Sequence, residues 1–251
     1  MRHLFLLGVV ILDTLFFGSL AILGCLVIPN GNPLIWLSRP WAAVILGLSG
    51  VRVRVEGISR IPRDRPVIFI SNHQSHFDIL ALTRALPGQY RVVAKKELFA
   101  IPVFGWALWL AGFIKIDRSD RDRAFRSLDL AARTIARGRS VLIFAEGTRS
   151  RDGSLRPFKK GAFVLAINSS CPIVPVSISG SRAVLPPGSL RIGRGTIDLV
   201  IGEPIETAAY RIENKEELME AVRSAVIDGF TPRNSADGRR SPVREGLLPQ
   251  P

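Results

Sequence analysis

The chain opens on an apolar run, LFLLGVVILDTLFFGSLAILGCLVI, that covers residues 4–28 and carries Asp13 as its only charge. A helix of that length is long enough to cross a bilayer. A turn-like PNGNP follows, then a second apolar stretch, PLIWLSRPWAAVILGLSG. Arg39 and Pro40 interrupt this stretch and make it a poor second span. Together the two predict a helical hairpin over residues 1–49, either crossing a membrane or lying in one leaflet. A cleaved signal peptide fits poorly, because its apolar core would be shorter. ILGC resembles a lipoprotein cleavage box ending at Cys25, with Leu23 as the misfit. The remaining alternative is a buried core helix, but apolar runs this long favour membrane.

From Gly50 the pattern changes. VRVRVEGI alternates with period two, and PVIFIS, RVVAK, FIKID, SVLIFA, IVPVSIS and TIDLVIG are short β-branched runs bounded by Gly, Pro or polar clusters. Helical stretches fall between them, over 77–86, 98–110, 121–137, 158–168 and 214–227. The third places Phe125, Leu128, Ala132 and Ile135 on one side, and Gly138 stands where a terminating glycine belongs. Strands alternating with helices predict an α/β domain over residues 50–230, with a mostly parallel or mixed central sheet flanked by helices. Ligands of such sheets bind beyond the carboxyl ends of the strands. Residues 231–251, rich in Pro, Arg and Gly, read as a disordered tail.

An apolar content of 47% over 251 residues is ample for one core. The net charge of +13 favours anionic partners: nucleic acid, an acidic membrane surface or phosphorylated substrates. There is no stacking-aromatic or recognition-helix signature, which argues against nucleic acid. Cys25 and Cys171 form neither a disulfide framework nor a metal-type pair, as in a reducing compartment. With three histidines and no CxxC, no metal is expected. No GxxxxGK[ST] phosphate loop is present.

Polar clusters sit at the ends of several predicted strands. NHQSHFD, after PVIFIS, brings His73 five residues ahead of Asp78. A carboxylate folded back onto an imidazole makes a general base near neutral pH. Two other readings stand beside this one. Ser75 and Asp78 form an S-x-x-D capping box that needs no catalysis, and His73 with His76 is a thin metal pair. EGTRS, after SVLIFA, offers a glycine for close backbone approach and the fork of Arg149 for phosphate or carboxylate. Arg118 in DRSDRDR, Lys95 and Lys96 in AKKEL, and Lys159 and Lys160 in FKKG also read as solvated charges. LFAIPVFGWALWLAGF concentrates Trp106 and Trp109 in a segment that suits core, an acyl-chain surface or an interfacial belt.

In order, NHQSHFD, GFIKIDR, FAEGTRS and VPVSISG resemble the four motifs of the glycerolipid acyltransferases, closest to the bacterial 1-acyl-glycerol-3-phosphate acyltransferases. The resemblance covers residues 50–205. It implies that His73 is the general base and Asp78 its orienter. It also implies that Arg118, Glu146, Gly147, Thr148 and Arg149 bind the acceptor's glycerol-phosphate, joined by Lys95 or Lys96. Pro175 is implied to shape the acyl-donor site. The implied reaction moves an acyl chain from acyl-CoA or acyl carrier protein to the sn-2 hydroxyl of lysophosphatidate, with no cofactor. The implied setting is the cytoplasmic face of a bacterial inner membrane, with the bilayer and a lysophospholipid as partners. The alternatives are another acceptor (glycerol-3-phosphate, another lysophospholipid or a lyso-ornithine lipid) and, from a different class, a non-catalytic basic membrane-binding protein. Removing residues 1–49 is expected to leave a soluble protein with poor access to bilayer substrate.

Overall fold

The computed structural model describes residues 2–117 and 121–231, with side chains of the second range from residue 127. Two antiparallel helices, α1 (Arg2–Val27) and α2 (Asn32–Ser49), form the N-terminal hairpin. Strands β1 (Val51–Glu56), β2 (Ile68–Ser71), β3 (Tyr90–Lys95), β4 (Ile114–Ile116), β5 (Ser140–Phe144), β6 (Ile173–Ser179) and β7 (Gly195–Ile201) follow. Helices α3 (Phe77–Ala85), α4 (Phe104–Leu110), α5 (Arg121–Ala136), α6 (Gly161–Asn168), α7 (Ser181–Val184) and α8 (Lys215–Asp228) connect or flank them.

Among the described residues the strands form one sheet in the order β1-β7-β6-β2-β5-β3-β4. Every neighbouring pair is parallel except β6 with β7. The sheet is mixed, as the alternating pattern predicts. β2 lies in the middle, and its side chains alternate between two buried faces. Phe69 packs with Leu142, Val174 and Ile197 toward α1, α2 and α3. Ile68 and Ile70 pack with Ile143 and Ile173 toward α5, α6 and α8. Such two-sided burial explains why IFIS reads as a continuous apolar run and not an alternating one.

The stretch with Arg39 and Pro40 is the second helix of the expected hairpin, 18 residues long with Pro40 inside it, and the Arg39 guanidinium donates to the carbonyls of Leu86 (3.3 Å) and Gly88 (3.1 Å). Two predicted helices, over 98–110 and from 158, differ in detail. The helix expected over 98–110 is broken into a 3-10 turn, Lys96–Ala100, and α4. Pro102 disfavours helical backbone at Ile101, and Val103 stands at φ 63. The helix expected from 158 begins at Gly161, since the Lys159 N–H is taken by the Ala145 carbonyl at 2.7 Å.

The hairpin is fastened to the sheet domain along its length. Leu6, Ile35, Ile45 and Leu46 belong to the same core as Phe69 and Leu142. Arg2 donates to the carbonyls of Ile192 and Ser49, both at 2.8 Å. At the turn, fully buried Arg91 of β3 donates to the Asn30 carbonyl at 3.0 Å and to Asn32 Oδ1 at 3.1 Å. Burial pulls its guanidinium down to about 10. Of the described helices, α1 alone is long and apolar enough to cross a membrane. Of the predicted tail, 231–251, residues 232–251 lie outside the described residues.

Candidate active site

Asn72 is the residue at which β2 leaves the sheet. Its side-chain amide stands in for a peptide group: Nδ2 donates to the Ile178 carbonyl and Oδ1 accepts from the Ile178 N–H, both at 2.8 Å. This fixes the start of the loop against β6. The next residue, His73, is held by both main-chain groups. Its N–H donates to Glu146 Oε1 at 2.7 Å, and its carbonyl accepts from Ser150 N–H at 2.9 Å. Its ring stacks on Phe144, the last residue of β5, with centroids 3.9 Å apart.

The chain then turns so that Asp78 comes back beneath the imidazole. His73 Nδ1 and Asp78 Oδ2 are 2.7 Å apart, with the carboxylate fully buried and the imidazole mostly so. The same oxygen accepts from the N–H groups of Gln74 (2.7 Å) and Ser75 (2.9 Å). Ser75 Oγ accepts from Phe77 N–H at 3.2 Å and donates to the Leu185 carbonyl at 2.8 Å. Of the expected capping box only the half from Asp78 to the Ser75 N–H is formed, since Ser75 Oγ takes the Phe77 N–H and not that of Asp78, and this half shares its oxygen with the His–Asp pair. His76 stands on the outer side of this turn. Desolvation, then the charges of Arg149 and His73, lower its imidazolium below the usual value.

The loop after β5 supplies the second half. Glu146 is 2% exposed and faces inward, with Oε1 on the His73 N–H and Oε2 on the Arg156 N–H at 3.0 Å. Burial pushes its carboxyl up to about 7. Both of its oxygens serve the protein's own backbone. Gly147 adopts φ +75, a turn that L side chains rarely make. Thr148 is exposed and accepts from Arg156 Nη1 at 2.8 Å, while Arg149 is half-buried beside the histidines.

Lys95 and Lys96 lie at the carboxyl end of β3. Lys96 Nζ pairs with Asp117 Oδ2 at 2.9 Å, just past β4, and Lys95 approaches Glu97 at 3.5 Å. The carboxyl ends of β2, β5 and β3 thus bring together His73, Asp78, Glu146, Gly147, Thr148, Arg149 and the two lysines. Arg118 lies outside the described residues. Pro175 is buried inside β6, in register with Ile70, and does not join the loops. Its carbonyl accepts from Gly202 N–H at 2.8 Å.

Sequence reasoning missed Asn72, Gln74, Ser150 and Arg156, which hold the loops by hydrogen bonds between residues distant in sequence. Their placement within NHQSHFD and EGTRS or just after it was the available signal. It also missed an apolar cavity between the hairpin and the sheet domain, lined by Phe17, Ile35, Trp41, Tyr90 and Leu108, and by Ile79, which follows Asp78 directly.

A family model described as Acyltransferase matches residues 52–179, about half of the chain and all of the loops above except the hairpin's wall of the cavity. The chain belongs to the acyltransferase family. Among relatives of this acyltransferase, 1-acyl-sn-glycerol-3-phosphate acyltransferase alpha of Bos taurus is 34% identical over 226 residues, covering 90% of this chain and 78% of the relative. The Homo sapiens protein of the same name is also 34% identical, over 90% and 80%. A chloroplastic 1-acyl-sn-glycerol-3-phosphate acyltransferase of Brassica napus is 35% identical over 172 residues, 68% of this chain, which spans about half (49%) of that longer protein. The crystal structure of the 1-acyl-sn-glycerophosphate (LPA) acyltransferase PlsC from Thermotoga maritima is similar at a TM-score of 0.74 and 28% identity. That match covers 91% of this acyltransferase and 96% of the other.

Proposed function

We propose that this acyltransferase moves an acyl chain from acyl-CoA or acyl carrier protein to the free sn-2 hydroxyl of lysophosphatidate, giving phosphatidate. The observation that carries the reading is Asp78 Oδ2, which accepts from His73 Nδ1 and from two backbone N–H groups. An oxygen that accepts three donors makes Nδ1 the protonated nitrogen and leaves Nε2 as the acceptor. Nε2 takes the hydroxyl proton as the alcohol oxygen attacks the thioester carbonyl. When the tetrahedral intermediate collapses, the carbon–sulfur bond breaks and the same proton passes to the departing thiolate. No cofactor enters these steps.

Thr148, Arg149, Lys95, Lys96 and Arg118 are assigned to the acceptor's phosphate, which they would position more than activate. Glu146 serves through the loop, as its hydrogen bonds support. The apolar cavity beside Ile79 suits an acyl chain close to the base. The relatives' names support the acceptor.

The hairpin is assigned to a membrane, at the cytoplasmic face where acyl donors are made. Because α1 is tied to the sheet domain near residues 2, 6 and 18 and through its turn, it lies against that domain and not away from it. A helix held this way enters one leaflet on its free side.

Incubating the purified protein with lysophosphatidate and mixed acyl donors, then weighing the products by mass spectrometry, tests both substrates at once. His73→Ala is expected to lower kcat by roughly 10²- to 10⁴-fold with the fold intact. Near-wild-type turnover by folded His73→Ala would sink the mechanism.

A further inference from the structure

Residues 98–113, LFAIPVFGWALWLAGF, contain no charged side chain. They are too short, and too broken at Pro102 and Val103, to span a bilayer. The core uses only part of them. Ala107, Leu108 and Ala111 are buried, whereas Trp106 and Trp109 are 57% and 72% exposed. Three residues apart on α4, the two indoles leave on the same side.

The orientation of α4 is set by tight packing. A Cβ at Gly18, on α1, would come within 2.9 Å of Val103 Cγ1, so the start of α4 lies against bare backbone in α1. Gly105 packs on the Phe99 carbonyl with equally little room. At the other end, the Ala111 carbonyl meets Gly31 in the hairpin turn. The indoles are therefore carried on an element packed directly against α1, whose free side exposes Leu15, Phe16, Leu20 and Leu23. Trp36, 50% exposed near the start of α2, stands at the same end of the hairpin. Lys115, exposed just after the segment, supplies positive charge at its edge.

We propose that the outer side of α4, through Trp106 and Trp109, is a second membrane-contacting element seated at the headgroup–acyl boundary of the leaflet that holds α1. The inference rests on the membrane reading of the hairpin. Indole rings, apolar with one N–H, settle at that boundary, and continuity with α1 selects a lipid surface over a protein partner. A consequence for the reaction follows. Phe104, Ala107 and Leu108, on the inner side of α4, line the apolar cavity, so seating α4 brings that cavity to the lipid from which acceptors come.

Full-length single-tryptophan proteins, with the other three tryptophans changed to phenylalanine, are bound to phosphatidylethanolamine–phosphatidylglycerol vesicles containing lipid brominated near or far from the headgroup. Trp109 and Trp106 are expected to shift to the blue and to be quenched more by the shallow bromines. Quenching of the Trp36 protein without quenching of the Trp106 and Trp109 proteins would overturn the proposal and leave hairpin attachment standing. No quenching anywhere, with no sedimentation on vesicles, would remove the attachment reading and the proposal together. As a second measurement, Trp106→Ser with Trp109→Ser is expected to weaken vesicle partitioning by roughly tenfold or more. Turnover of a short-chain, monomeric lysophosphatidate by the same variant should be unchanged. Unchanged partitioning by that variant would overturn the proposal.

Discussion

One oxygen, Asp78 Oδ2, receives an imidazole N–H and two peptide N–H groups, so the turn into α3 and the His73–Asp78 pair stand or fall together. Glu146 does the corresponding work for the facing loop, joining the N–H of His73 to that of Arg156. Burial raises its carboxyl from 4.5 to about 7, so the folded protein holds this proton more tightly than the unfolded chain does. Its contribution favours the fold most below pH 4.5 and is lost as pH rises through about 7. Glu146→Gln removes that dependence. Thermal unfolding of wild type relative to the variant should therefore lose ground between pH 4.5 and 7, by at most on the order of 2–3 kcal/mol. A constant difference across that range would contradict the buried carboxyl. The amide also turns a donor toward one of the two N–H groups, so kcat is expected to fall about tenfold or more. The His73–Asp78 pair was legible because only four residues intervene and a capping signature restricts where the carboxylate can go. The inward turn of Glu146 was not, because its partners include Arg156, across a loop with no periodicity to read.

At the scale of elements, period-two and helical patterns located the strands and most helices, since burial of one or both faces is written directly in side-chain type. What they could not locate was packing between backbones. The hairpin turn is the clearest case: Gly31 has φ +73, and a Cβ there would lie 2.4 Å from the Ala111 carbonyl. PNGNP announces a turn, but nothing in it names α4 as the neighbour. Gly31→Ala combines an unfavourable backbone region with a backbone clash and is expected to destabilise the protein by about 2 kcal/mol or more. Differential scanning calorimetry would register this as a lowered Tm, and an unchanged Tm would mean that the turn does not sit on α4.

For the whole molecule, the boundary at residue 50 separates patterns in the sequence without separating cores. Leu6, Ile35, Ile45 and Leu46 complete the layer over β2 and β5, and Asn30 and Asn32 receive the guanidinium of Arg91. Deleting residues 1–49 uncovers that layer and leaves a buried arginine without two of its acceptors. In place of the soluble fragment with poor membrane access expected from sequence, this packing predicts loss of the folded state. Expression of residues 50–251 should give aggregated protein by size-exclusion chromatography, and a monomer with cooperative unfolding would refute this. Long-range sharing of a core escapes a reading that works along the chain, because the apolar side of a hairpin looks the same whether it faces lipid or sheet.

The Asn72 amide has a mechanical consequence. By exchanging two hydrogen bonds with Ile178, it extends the β2–β6 pairing one rung past the last true strand residue. The peptide before His73 is thereby braced as a strand residue is, so the imidazole that the proposed mechanism uses as its base is carried by the sheet and not by a free loop.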